Sequence, residues 1–304
     1  MPAGTDPEVV EQRIVEAGVL LARYGAVTGW ASLRWHGGAW FGGLDRRGLQ
    51  PVPVTIVIAS EDIRPHPGVR LSAERLARAE IAVVDGLPVT GPVRSACFEA
   101  RYADDVRQAV EILDMAAYSD LVDVSGMVLF AATLNGWTGV PQLRAALLLV
   151  DENSWSPMET QVRLVWVLDA ELPWPFCNQP VFDRSGRHLG TPDLLDEEAG
   201  LVVEYDGMLH LENARRRKDR DRDEQYRRHG LDVITVVGAD LADRDRLVTR
   251  FYEARGRAAF AAVGARPWTT VAPSWWIRTD TVERRRALDA ELRDRWLRLR
   301  LRVG

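Results

Sequence analysis

Apolar and polar residues alternate in ways that divide the chain into readable elements. Residues 8–24 place Val10, Ile14, Ala17 and Leu21 at helical spacing, which predicts a helix. A Trp- and Gly-rich stretch follows. PVTIVIAS (53–60) and PGVRLS (67–72) read as strands. GLPVTGPVRSACFEA (86–100) reads as a turn, a short strand and a helix starting at Pro92. Residues 103–119, 120–135 and 139–150 are helical by period. SPMETQVRLVWVLDAEL (156–172) is helical again, with Ser156 as N-cap and Glu159 three residues on, as in a capping box. The text then turns to strands at 178–183, 188–196 and 200–207. A highly charged helix at about 211–229 ends at Gly230. An apolar strand (231–238), a helix (239–262), a Pro- and Trp-rich linker (266–277) and a basic terminal helix (281–302) complete the reading.

At 304 residues the chain suits two domains at about 150 each. Its 46% apolar and 27% charged residues are enough for real cores, which excludes a wholly disordered or disulfide-stapled chain. No run reaches the roughly 18 apolar residues of a membrane span, and the polar N-terminus does not read as a secretory signal. Cys97 and Cys177 are far apart with no CxxC context, so buried thiols in a reducing cytoplasm are expected. The net charge of −5 is unevenly spread: residues 278–304 hold 9 Arg against 5 acids. Lys218 is the only lysine in the sequence, so any chemistry that needs one must use it.

The most informative segment is GTPDLLDEEAGLVVEYDG. Read as a β-hairpin turning at Glu198–Ala199, it sets Asp193 opposite Glu204, with Cβ atoms about 5 Å apart. Side chains alternate along a strand, so Asp206 shares the face of Glu204. Asp193, Glu204 and Asp206 then converge, and three close carboxylates raise one another's pKa unless a positive group sits among them. Hard oxygen ligands favour Mg2+ or Mn2+, in the layout of a phosphodiester-hydrolysing site. The plainer reading is an acidic exposed hairpin. At about 100° per residue, the charged helix places Lys218, Arg222, Gln225 and Tyr226 on one face, with Asp219 and Asp223 to the other side. Lys218 is thus a candidate to stabilise developing charge or orient water, against the alternative of a solvated Arg/Asp-laced helix.

Taken in order, SPMET, TPD, EYDGMLH, KDRDRDEQYRRHG and LDVITVV resemble the PD-(D/E)XK nuclease superfamily, in its very-short-patch-repair (Vsr)-like branch, over about residues 156–245. The resemblance implies a restriction-endonuclease-like α-β-β-β-α-β core. It makes Asp193 and Glu204 the metal-binding acids, with Glu159 as a supporting helical carboxylate. The superfamily's ExK lysine falls at position 206, where this chain has Asp206. Lys218 fits relocation of that role to the following helix, and His210 is the alternative proton carrier. Residues 20–115 resemble, more weakly, the C-terminal region of AbiEi-like antitoxins, without an evident winged helix.

These readings give an α/β fold with an α+β domain over 1–150, a nuclease-like domain over 151–262, and a linker with a basic helix over 263–304. The expected activity is metal-dependent endonucleolytic hydrolysis of DNA in the cytoplasm. Candidate DNA contacts are Arg215, Arg216 and Arg222 of the charged helix, with Arg284, Arg285 and Arg286 near the C-terminus. The terminal helix reads equally as one packing Leu288, Leu292, Trp296 and Leu299 on the protein body. The alternative function is a non-catalytic DNA-binding or antitoxin-like regulator with a degenerate nuclease fold. A homodimer or a partner protein encoded by a neighbouring gene is compatible with either, and a membrane is not expected.

Overall fold

The structure, a computed structural model, describes residues 9–21, 24–58, 64, 66–207, 222–298 and 300. It is a mixed α/β protein of two compact units that meet in sequence at Val150 and Asp151. Among the described residues no helix is long and apolar enough to cross a membrane.

The first unit holds α1 (Val10–Val19), β1 (Ala26–Thr28), α2 (Gly29–Trp35), β2 (Val54–Val57), β3 (Val69–Ser72), β4 (Ile81–Val84) and β5 (Leu87–Thr90). Helices α3 (Pro92–Tyr102), α4 (Val106–Tyr118), α5 (Val124–Thr133) and α6 (Val140–Leu147) follow. Its five strands form one mixed sheet in the order β3-β2-β1-β5-β4. The β4–β5 hairpin closes through Asp85 and Gly86, both at positive φ (47° and 81°). An Asp-Gly pair suits this two-residue turn because both positions need left-handed backbone. Asp105 and Asp123 cap α4 and α5 by accepting from Gln108 N and Gly126 N. The Trp- and Gly-rich stretch is not a loop: it supplies β1 and the buried helix α2.

The second unit begins with α7 (Pro157–Leu164), one wider turn (Val165–Asp169), β6 (Phe176–Cys177), β7 (Val181–Asp183) and β8 (His188–Gly190). It continues with β9 (Leu194–Asp196), β10 (Leu201–Asp206), helical residues 222–228 (α8) and β11 (Asp232–Val237). Then come α9 (Gly238–Ala242), α10 (Arg244–Arg257), β12 (Trp268–Thr269), α11 (Val282–Arg286) and α12 (Ala290–Leu297). The strands make two sheets, β11-β10-β9-β6 and β12-β7-β8. Alternation along β10 gives the first sheet two apolar faces. Leu201 and Val203 pack with Val162 and Trp166, and with Leu247 and Phe251 of α10. Val202 packs with Leu195, Tyr226 of α8, and Val181, Leu189 and Trp268 of the second sheet.

Three expectations are corrected here. The strand expected over 188–196 is two strands in different sheets, because Thr191-Pro192 interrupts it and proline has no N–H for a ladder. The stretch expected to be a linker contributes β12, which pairs antiparallel with β7. The single terminal helix expected over 281–302 is broken into α11 and α12, and Asp289 caps the second by accepting from Leu292 N at 2.8 Å.

Candidate functional site

The β9–β10 hairpin pairs Asp196 with Leu201, Leu195 with Val202, and Leu194 with Val203. The same register continued by one residue sets Asp193 opposite Glu204, as the alternation of the sequence predicts. Its turn is closed by Gly200, which holds a positive φ of 74° and donates from its N–H to Asp196 O at 2.9 Å.

Asp193 lies just ahead of β9. Its Oδ2 accepts from Tyr205 N at 2.6 Å, and its carbonyl accepts from Asn178 N at 3.0 Å. Burial pushes its carboxyl up to about 6, against the lowering effect of the Tyr205 N–H and of Arg222. Glu204 is only 7% exposed. Its Oε2 lies 3.4 Å from Arg222 Nη2, while its buried Oε1 has no hydrogen-bond partner among the described residues. Burial, and next the Asp193 charge, holds its carboxyl well above the usual range.

Glu159 joins them from the first turn of α7. Its backbone N donates to Ser156 Oγ at 3.2 Å, and its Oε1 accepts from that hydroxyl at 3.0 Å. Its Oε2 accepts from Trp155 N at 2.8 Å and Asn178 Nδ2 at 2.7 Å. Half of the capping box read from the sequence is therefore present: Ser156 caps the Glu159 N–H, while the Glu159 carboxylate reaches back to Trp155 N and the Ser156 hydroxyl instead of Ser156 N, and these bonds hold it in place. Burial and then Asp193 push this acid up to about 8. Tyr226, from α8, is fully buried, and its hydroxyl makes no hydrogen bond among the described residues. It stands over Gly190, where an added Cβ would lie 2.2 Å from that oxygen, so only glycine leaves room for the ring.

The acid that joins Asp193 and Glu204 is thus Glu159, the helical carboxylate that the resemblance implies, rather than Asp206, which the alternation of β10 suggested. Asp206 stands exposed at the end of β10, beyond the last β9 partner, where β10 pairs only with Val237 of β11. The charges that raise Glu204 are those of Asp193, Asp223 and Glu159. Arg222, expected at DNA, instead faces Glu204. Arg285 is corrected as a DNA contact: it is 0% exposed and donates to Thr279 O at 3.0 Å, so no phosphate reaches it. Arg284 is exposed but holds both oxygens of Asp280, at 2.6 and 2.7 Å, and Arg286 is exposed. His210, Arg215, Arg216 and Lys218 lie outside the described residues. Two residues of the group were missed by sequence reasoning, Asn178 and Tyr226. Asn178 sits at a positive φ of 44°, a conformation asparagine tolerates, and CNQP carries no chemical motif that flags it.

Among the described residues no group of three or more His, Cys, Asp or Glu side chains is drawn together as a ready metal site. Both oxygens of Glu159 and one each of Asp193 and Glu204 are turned to protein donors. The donor set nonetheless fits a hard divalent cation. Its donor atoms are all oxygen, its acids raise one another, and Glu204 Oε1 is buried without a donor among the described residues. The chain matches no protein-family model, no curated protein and no solved structure.

Proposed function

We propose that this protein is a metal-dependent endonuclease that hydrolyses DNA phosphodiester bonds in the cytoplasm, with a restriction-endonuclease-like, Vsr-like core in its second unit. The observation that carries the reading is the group of buried Glu159 and Glu204 with half-buried Asp193 around the β9–β10 hairpin, each with its carboxyl held above the usual range. Burying several like charges is costly, and a chain keeps such a group when a bound cation offsets the repulsion.

In this reading Asp193 and Glu204 hold Mg2+ or Mn2+, and Glu159 supports them from α7. When bound, the cation polarises a phosphoryl oxygen and lowers the pKa of its water. The Tyr205 N–H and Asn178 keep the Asp193 and Glu159 carboxylates in fixed orientations. Arg222 moderates the charge on Glu204. Lys218 and His210 are the residues assigned to orient or protonate the attacking and leaving oxygens. Asp206 stands where the superfamily carries its lysine, so that role is assigned to Lys218. Arg215, Arg216, Arg284 and Arg286 are assigned to the phosphates.

The test is cleavage of plasmid and of mismatched duplex in Mg2+ or Mn2+, with Asp193→Ala and Glu204→Ala as controls. Metal-dependent nicking that both substitutions abolish supports the reading. No divalent binding and no DNA binding by purified protein overturns it. One observation favours a second reading. Arg222 already sits 3.4 Å from Glu204, as it would in a degenerate nuclease fold that binds DNA as an antitoxin-like regulator. That reading requires salt-dependent DNA binding that survives both substitutions, with no cleavage in any metal.

A further inference from the structure

Beside the acids lies a cleft of about 640 Å³, lined by Trp155, Phe182, His188, Trp276, Trp296 and Asn178 among others. Its size falls in the roughly 300–1,000 Å³ range of sites that take small molecules or their parts. One wall is a run of rings in edge-to-face and tilted contact. Trp276 meets Phe182 at 5.1 Å, His188 at 4.7 Å and Trp296 at 5.0 Å between centroids. Trp276, His188 and Trp296 are each half-buried, so the run keeps open surface. His188 is held toward its neutral form by burial, and its Nε2 is 3.0 Å from Thr191 Oγ1.

Two features tie this surface to nucleic acid rather than to another apolar chain. The first is charge. Arg278 and Arg295 line the cleft with a single acid, Asp280, and Asp280 is already held by Arg278 and Arg284. The excess is positive, which suits a phosphate beside an aromatic ligand. The second is continuity with the acids. Asn178 lines the cleft and donates through Nδ2 to Glu159 Oε2 at 2.7 Å. Thr191 lines it two residues before Asp193.

We propose that this cleft receives an unstacked base of a DNA strand, stacked against Trp276, while the same strand's backbone runs to Glu204 and Asp193. The proposal rests on the DNA reading given above and adds the form of the substrate: a strand whose bases are free to leave the helix, at an end, a gap or a mismatch. Aromatic faces take any base, so the cleft gives a structural preference without a sequence preference.

The experiment is fluorescence anisotropy in EDTA with a labelled single strand of about 16 nucleotides. The comparison is a strand of equal length built from abasic sugar-phosphate units. The two probes carry the same phosphates and differ only in bases. The wild-type chain should bind the base-bearing strand about tenfold more tightly. Trp276→Ala should lower that affinity to the abasic level, and Trp276→Phe should keep the preference. Trp296→Ala, which removes an outer ring, should reduce the preference several-fold and serves if Trp276→Ala fails to fold by thermal melt. Equal affinity for both probes in the wild type, or a preference that survives the alanine variants, overturns the proposal. Cleavage in Mg2+ is scored separately. Base preference without cleavage retains the cleft and removes the nuclease, and cleavage without base preference does the reverse.

Discussion

In the first unit Arg101 lies 2.7 and 2.8 Å from the two oxygens of Glu74, and Arg94 lies 2.9 Å from Glu80. In the second, Glu159, Asp193 and Glu204 act on one another, and Arg222 approaches Glu204 at 3.4 Å. Both units bury ionisable groups. The first matches these pairs cation to anion, with Arg101 also donating to Thr138 O at 2.9 Å. The second gathers like charge and leaves a buried oxygen of Glu204 without a donor among the described residues. A matched pair keeps a fold in register. An unmatched group costs stability, and a site with chemistry to perform is where such a cost is retained.

Substitutions that break this contrast have ranked effects. The largest fall on activity: Asp193→Ala or Glu204→Ala should lower Mg2+-dependent cleavage by about 10³-fold, the loss of several kcal/mol of transition-state stabilisation. Single-turnover kinetics at saturating metal would show it. Next, Arg101→Ala should destabilise the first unit by about 2–3 kcal/mol, because it removes the two-oxygen partner of half-buried Glu74 and leaves it with Arg94 at 3.5 Å and the Tyr102 hydroxyl at 2.9 Å. Urea unfolding reads this, and a loss below about 1 kcal/mol would mean that the pair is not buried in solution.

Glu204→Gln moves in the opposite direction. Removing one charge from the acid group should stabilise the metal-free chain by about 1 kcal/mol while it abolishes cleavage. A destabilised variant in EDTA would show that the acids are not in conflict. The smallest effect concerns Glu111, which pairs with Arg46 at 2.7 Å yet is raised by burial from 4.5 to about 7. The folded chain holds this proton more tightly than the unfolded one. Its contribution to stability is therefore full below about pH 4.5 and lost as the pH rises through about 7. Glu111→Gln should flatten the thermal midpoint across that window, and an unchanged slope would contradict the assignment.

The elements of the site were legible to different degrees, for physical reasons. The register of Asp193 against Glu204 follows from strict alternation and a short turn, both local properties of the sequence. The Ser156 cap on the Glu159 N–H is equally local. Glu159 was legible only through the resemblance to the nuclease superfamily, because bringing it to the hairpin depends on how α7 packs through Val162 and Trp166. Asp206 was misplaced because alternation gives its face but not where the neighbouring strand stops. β6 and β12 escaped notice because a two-residue strand has no period. Arg285 was read as a DNA contact because it sits in a run of three arginines, whereas the cap at Asp289 turns the chain and Arg285 itself is buried, donating to Thr279 O at 3.0 Å.

Anomalous diffraction from crystals soaked in Mn2+ tests the central claim most directly. A peak within coordination distance of the carboxylates of Asp193 and Glu204, absent in Glu204→Gln crystals, is the predicted result. A hairpin with no peak and Arg222 still seated on Glu204 would contradict it.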